Sequence, residues 1–225
     1  MMAVTELDLT KDQRVVEEAF AKLASAVDSF EEYALPHASR LATLAEAVAR
    51  LYHFASKDLF SLRVAALAHD LGEFAMKREY IKRIGTLSED ERLDLIRHTI
   101  IGEQEAARAG ADRGAQLMVR WHHEWWNGGG YPDGLSGEQI PLPARILRVA
   151  DTYAALTAHR PYRAARTEQE ARQTLADWAG IEFDPRVVRA FLSLENLDAL
   201  RLSVVAPKPS ITLGEVNAAP GENPR

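Results

Sequence analysis

Residues 59–72 read LFSLRVAALAHDLG. Apolar side chains at Leu59, Leu62 and Ala66 return every three or four positions, the period of one helix face. Asp58, just before them, is a residue type that caps a helix N-terminus. The helix is expected to run through His69. It closes on an imidazole and a carboxylate side by side, His69 and Asp70, at the end of an apolar run. Such a pair can bind one metal ion, or its carboxylate can bridge two.

The helical pattern continues outward on both sides. Residues 13–29 carry Val15, Val16, Phe20, Leu23 and Val27, and residues 37–53 carry Leu41, Leu44, Val48 and Leu51, all near helical spacing. Ser88 with Glu91 makes a capping-box pair ahead of Leu93, Ile96 and Ile100. Further helices are expected over 111–124, 143–158, 167–179 and 185–193, with Pro143 and Pro185 suited to first turns. No stretch alternates with period 2, so the chain is expected to be all-α, a helical bundle. Residues 127–141, NGGGYPDGLSGEQIP, are too rich in Gly and Pro for either regular structure and form a loop. The expected organisation is a helical extension over 1–29, one domain over 30–195, and a C-terminal segment over 196–225. The composition after about residue 206 suits a poorly ordered terminus.

Composition narrows the chemistry. The 225 residues are 47% hydrophobic and 27% charged, as in a soluble globular protein. No apolar run approaches the length of a bilayer span, and the N-terminus lacks a basic start followed by an apolar core. No membrane partner is expected. The absence of cysteine excludes disulfides and thiolate metal sites and suits a cytoplasmic protein. A net charge of −6 argues against polymeric nucleic acid, whose phosphates call for a basic face. It leaves room for a small phosphorylated ligand, and residues 160–166, RPYRAAR, are locally basic.

The histidines carry the functional argument. Of seven, five fall at helix positions facing apolar stripes. His37 opens a helix; His69 is followed by Asp70; His98 is expected mid-helix with Gly102 one turn on; His122 and His123 are adjacent and followed by Glu124. Asp151 lies within ILRVADTYAAL, where an unpaired carboxylate would be costly. Singly, each has a plainer reading: His98 as a core or surface residue, the His122–His123 pair as incidental, Asp151 as the partner of Arg145 or Arg148. Jointly they form a candidate metal site of His37, His69, Asp70, His98, His122, His123 and Asp151, of the donor types that suit Fe, Mn or Zn. His53 and His159 are assigned to structure or solvent.

In order along the chain these residues resemble the HD-GYP group of HD-domain phosphohydrolases. The resemblance rests on His37-Ala-Ser-Arg40, His69-Asp70-Leu-Gly72, His98-Thr-Ile-Ile-Gly102 and the run from His122-His123-Glu124 through Asn127, Gly130, Tyr131 and Pro132 to Gly134. It continues through Ile140 to Arg145, Val149-Ala-Asp151, Leu156 to Arg163, and Phe183 to Phe191, covering about residues 30–195. It implies an HD-domain bundle with the Gly/Pro-rich loop over the metal site. The cofactors implied are two divalent transition-metal ions, iron or manganese, one held by His37, His69, Asp70 and Asp151, with Asp70 bridging to a second on His98, His122 and His123. His69 and Asp70 would be the catalytic pair, and Gly130, Tyr131, Arg160 and Arg163 would contact substrate. The implied activity is hydrolysis of cyclic di-GMP, or a related cyclic dinucleotide, by a hydroxide held on the two ions. A protein partner at the Gly-rich loop and a homodimer are further expectations.

Three departures from the group's pattern stand out. Glu73 occupies a position where a Lys is common, Ala154 one where an Asp is usual, and Tyr33 one where members with three metals carry Glu. Glu31 and Glu32 are close by but expected on a different helix face, so two ions are expected rather than three. Glu73 and Ala154 motivate two alternatives: a cyclic di-GMP binding or protein-interaction module with weak or no catalysis, and a hydrolase for another phosphoester.

Overall fold

Thr10 accepts the backbone N–H of Gln13, Gln13 returns a bond to the N–H of Thr10, and this reciprocal cap starts α1 (Lys11–Phe30). The computed structural model describes residues 9–83, 85–161, 164–195 and 197. Among the described residues nine further helices follow: α2 (His37–Leu51), α3 (Ser56–Ala68), α4 (Leu71–Met76), α5 (Glu89–Ile96), α6 (His98–Arg108), α7 (Arg113–Trp121), α8 (Leu142–Leu156), α9 (Glu168–Asp177) and α10 (Pro185–Leu192). Among the described residues there is no strand, only a single bridge between Ala179 and Phe183. The all-α expectation holds. The expected tail over 196–225 lies, apart from Leu197, outside the described residues.

The boundaries follow local chemistry. Ser88 and Glu91 form the expected capping box of α5, and Thr167 with Glu170 forms another at α9. Pro143 and Pro185 sit in first turns. Asp58 is a correction: the α3 N-cap is Ala55, and Asp58 lies inside the first turn. Two expected helices also divide. The one through His69 ends at Ala68 and restarts at Leu71; the one through Ile96 and Ile100 ends at Ile96 and restarts at His98. His98 is therefore not mid-helix but the first residue of α6.

α2 packs on α3 and α8, α3 on α7, and α6 on α4 and α7. Phe20, Leu41, Leu44, Leu62, Ile146, Leu147, Tyr153 and Phe191 fill the shared core. Glycine permits the tightest crossing. A Cβ at Gly72 would lie 1.9 Å from the carbonyl oxygen of His98, so α4 and α6 meet backbone to backbone. No helix among the described residues is long and apolar enough to cross a membrane.

Candidate metal centre

The structure brings all seven candidate ligands together in two groups. His37, His69 and Asp151 form one; Asp70, His98, His122 and His123 form the other, with ligand atoms in each within 4.8 Å of one another. Most sit at helix ends. His37 opens α2, His69 and Asp70 occupy the α3–α4 junction, His98 opens α6, and His122 and His123 follow α7; Asp151 alone lies mid-helix, in α8. Asp28 fixes the start of α2 by accepting the N–H of Ala38 at 3.2 Å.

Tautomers follow from the partners. The Nδ1 atoms of His69, His98 and His122 lie 2.9, 2.7 and 2.7 Å from the carbonyl oxygens of Ala66, Leu95 and Val119. A carbonyl only accepts, so Nδ1 donates in each ring; Nε2 keeps its lone pair in His98 and His122, whereas His69 Nε2 faces the Asp70 carboxylate. His98 Nε2 and His122 Nε2 are then two acceptors 3.5 Å apart, each 3.6 Å from Asp70 Oδ1, in rings with no solvent exposure. Three lone-pair donors in a buried triangle of that size repel one another unless a cation joins them. An ion with bonds of about 2.1 Å at tetrahedral angles sets its donors about 3.4 Å apart. The residues fit a metal ion.

The first group fits as well. His69 Nε2 lies 2.8 Å from Asp70 Oδ2, and His37 Nε2 lies 3.3 Å from Asp151 Oδ1. Both Nε2 atoms are buried and lack a hydrogen-bond partner of acceptable geometry, as does His37 Nδ1. Asp70 thus turns one oxygen toward each group. Electrostatics agree. Burial pushes His98 down to about 4, whereas Asp70 and Asp151 hold His69 up to about 10 against the burial that opposes it. The two carboxylates draw positive charge into this corner.

His123 stands apart. Its Nδ1 is 2.9 Å from Arg148 Nη1, and a guanidinium can only donate. Arg148 also reaches Glu182 and lies 3.7 Å from Asp151 Oδ2, while Arg145 goes to Asp184 at 2.6 Å. Of the two arginines weighed as partners of Asp151, Arg148 is the one beside it.

The Gly-rich loop is tied down. Tyr131 N donates to His123 O at 3.1 Å, and the Tyr131 ring stacks on His123 with centroids 4.9 Å apart. A Cβ at Gly130 would fall 2.2 Å from Trp125 N, so only glycine fits there. Glu124 is buried and accepts the N–H groups of Asp133 and Leu135 at 2.7 and 2.9 Å. Arg120 and Trp121 both bind Asp133. Trp126 N and Asn127 N pair with the carbonyls of Glu182 and Ile181.

At the opposite edge the sequence reading needs correction. Glu31 does not lie on a distant helix face: α1 stops at Phe30, Glu32 turns at φ 62, and Glu31 is 2% exposed. Glu31 Oε2 accepts from Arg160 Nη2 at 2.8 Å. Arg160 lies over the Tyr33 ring at 3.7 Å, and Tyr33 stacks on His37 at 4.1 Å with the planes 1° apart. Burial, then Asp70, raises the Glu73 carboxyl well above the ordinary range. Ala154 is fully buried, its carbonyl accepting from Arg40 at 3.3 Å. His53 and His159 are exposed, and His53, at φ 56, ends α2 in the left-handed region. Arg163 lies outside the described residues.

The family model described as "HD domain" matches residues 18–187. The chain belongs to the HD domain family. Over 179 residues this HD domain is 37% identical to the cyclic di-GMP phosphodiesterase response regulator RpfG of Xanthomonas campestris, covering 78% of this chain and 47% of that protein. It is 32% identical over 187 residues to 3'3'-cGAMP-specific phosphodiesterase 2 of Vibrio cholerae, covering 81% and 35%. The chain spans less than half the length of both. A solved structure of a cyclic GMP-AMP-specific phosphodiesterase of V. cholerae superposes with a TM-score of 0.64 at 22% identity, covering 79% of this chain and 48% of that one. That likeness supports the HD-domain bundle. The resemblance read from the motifs holds.

Proposed function

We propose that this HD domain is a metal-dependent phosphodiesterase acting on a cyclic dinucleotide, with cyclic di-GMP the first candidate and 3'3'-cGAMP the second. The observation that carries the reading is Asp70, whose two oxygens face two separate ligand groups. His37, His69 and Asp151 would hold one divalent ion, His98 and His122 the other, and Asp70 would join them; His123 would join the second only when its Nδ1 is released from Arg148 or its Nε2 gives up its proton. Iron and manganese suit this mixture of imidazole and carboxylate. When bound, such a pair offers Lewis acidity to a phosphodiester and acidifies the attacking water.

The chain's own groups do the rest. The Nδ1–H bonds of His69, His98 and His122 orient those rings. Tyr131, fastened over His123, offers a flat face against which a base or ribose can pack. Arg160 supplies a guanidinium on the His37 side for a phosphate. The test is turnover of cyclic di-GMP and 3'3'-cGAMP by protein loaded anaerobically with Fe(II) or Mn(II). Two bound ions with no turnover of either would refute the reading.

Glu73 favours a second reading. Glu73 stands where the HD-GYP pattern commonly has a Lys, so a cation that would meet the phosphate is missing at this position. Cyclic di-GMP binding with hydrolysis at background would select this second reading, a binding module.

A further inference from the structure

We propose that Glu31 is a positioning residue for the reaction: it holds Arg160 in the orientation that meets the substrate phosphate. This rests on the phosphodiesterase reading above.

Glu31 keeps its carboxylate out of water. It lies at the turn between α1 and α2, 2% exposed, and spends one oxygen on Arg160 at 2.8 Å while the other has no hydrogen-bond partner. A surface ion pair would avoid that desolvation. The carboxylate is therefore poorly explained as a fastener of the turn, which its backbone already closes through Glu31 N to Val27 O and Tyr33 N to Asp28 O.

Arg160 is fixed by one further contact. It enters from the segment after α8, 129 residues away along the chain, and its guanidinium rests on the Tyr33 ring at 3.7 Å. Tyr33 lies flat on His37, so carboxylate, guanidinium, phenol and imidazole form one continuous stack ending on a candidate metal ligand. Glu31 grips the edge of the guanidinium and Tyr33 its face, which leaves the plane little freedom to rotate. Arg recognises phosphate through the direction of its N–H groups, so a fixed plane lowers the ordering needed on binding.

A double-mutant cycle separates this from a merely structural role. The variants are Glu31→Ala, Glu31→Gln, Arg160→Ala and Glu31→Ala/Arg160→Ala, loaded with Mn(II). The probes are cyclic di-GMP and 3'3'-cGAMP, and the readouts are KM, kcat, bound manganese and melting temperature. Glu31→Ala is expected to raise KM about tenfold with kcat changed less than threefold and two ions retained. Glu31→Gln keeps a carbonyl acceptor and is expected between the two. In the Arg160→Ala background, Glu31→Ala is expected to add nothing to KM. An unchanged KM in Glu31→Ala, an undiminished effect of Glu31→Ala when Arg160 is absent, or loss of manganese in Glu31→Ala would each overturn the proposal while leaving the functional reading intact. A wild-type protein that neither binds nor cleaves the probes would overturn both.

Discussion

A single carboxylate, Asp70, divides its oxygens between two imidazole groups, and the two aspartates of the site therefore differ in consequence. Asp70→Ala is expected to lower bound metal from two ions to fewer than one, because both groups lose a donor. Asp151→Ala removes a donor from one group and is expected to leave about one ion. Metal analysis of the purified variants checks this, and equal losses would remove Asp70 from its bridging place. Tyr131→Ala removes no ligand atom from either group, although its ring stacks on His123. It is expected to keep full metal content and to weaken cyclic di-GMP binding about tenfold, in line with about 1–3 kcal/mol for a stacked base; calorimetric titration measures it. All seven candidate ligands were legible in the sequence through residue type and order. Glu31 and Arg148 were not. Helical spacing assigns Glu31 to a face only if the helix continues, and the left-handed turn at Glu32 voids that assumption. Arg148 was weighed only as a partner for Asp151, since spacing in α8 says nothing of His123.

At the scale of elements, the sequence told helices from loops but missed two breaks. Periodicity carried α3 through His69 and α5 through Ile100, whereas both helices break beside a candidate ligand. The reason lies in packing. Apolar residues continue in phase across each junction, and the two breaks meet where Gly72 approaches the His98 carbonyl. Gly72→Ala would drive a methyl into that backbone and is expected to destabilise the protein by about 3 kcal/mol, read from the urea midpoint. Gly110→Ala meets no neighbour within 4 Å and serves as a control for steric crowding, its positive φ carrying a separate and smaller strain. The loop over residues 127–141 was expected from Gly and Pro, but its attachment was not. Glu124 follows two histidines and so reads as part of the ligand run, yet its carboxylate closes the loop. Glu124→Gln loses one acceptor for two backbone N–H groups, at about 1–3 kcal/mol. Limited proteolysis within residues 127–141 is expected to quicken several-fold, with metal content unchanged.

For the whole molecule, the candidate ligands come from the ends of α2, α3, α6 and α7 and the middle of α8, so metal binding and stability are linked. At a free metal concentration one hundred times the dissociation constant, linkage supplies about 2.7 kcal/mol per site. For a chain of this size that is a rise in melting temperature of about 5–10 °C, reversed by a chelator. A thermal scan with and without Mn(II) tests it, and an unchanged midpoint would separate the site from the fold. The helix ends themselves add something. The carbonyls of Ala66, Leu95 and Val119 that receive the histidine N–H groups belong to the last turns of α3, α5 and α7. These C-termini place partial negative charge behind the rings, while the N-termini of α2, α4 and α6, at His37, Leu71 and His98, place partial positive charge beside them. With the helix ends offsetting one another, Asp70 and Asp151 set the sign of the corner, which draws cations and opposes anions. Two divalent ions would reverse that sign, so phosphodiester binding is expected to depend on metal loading.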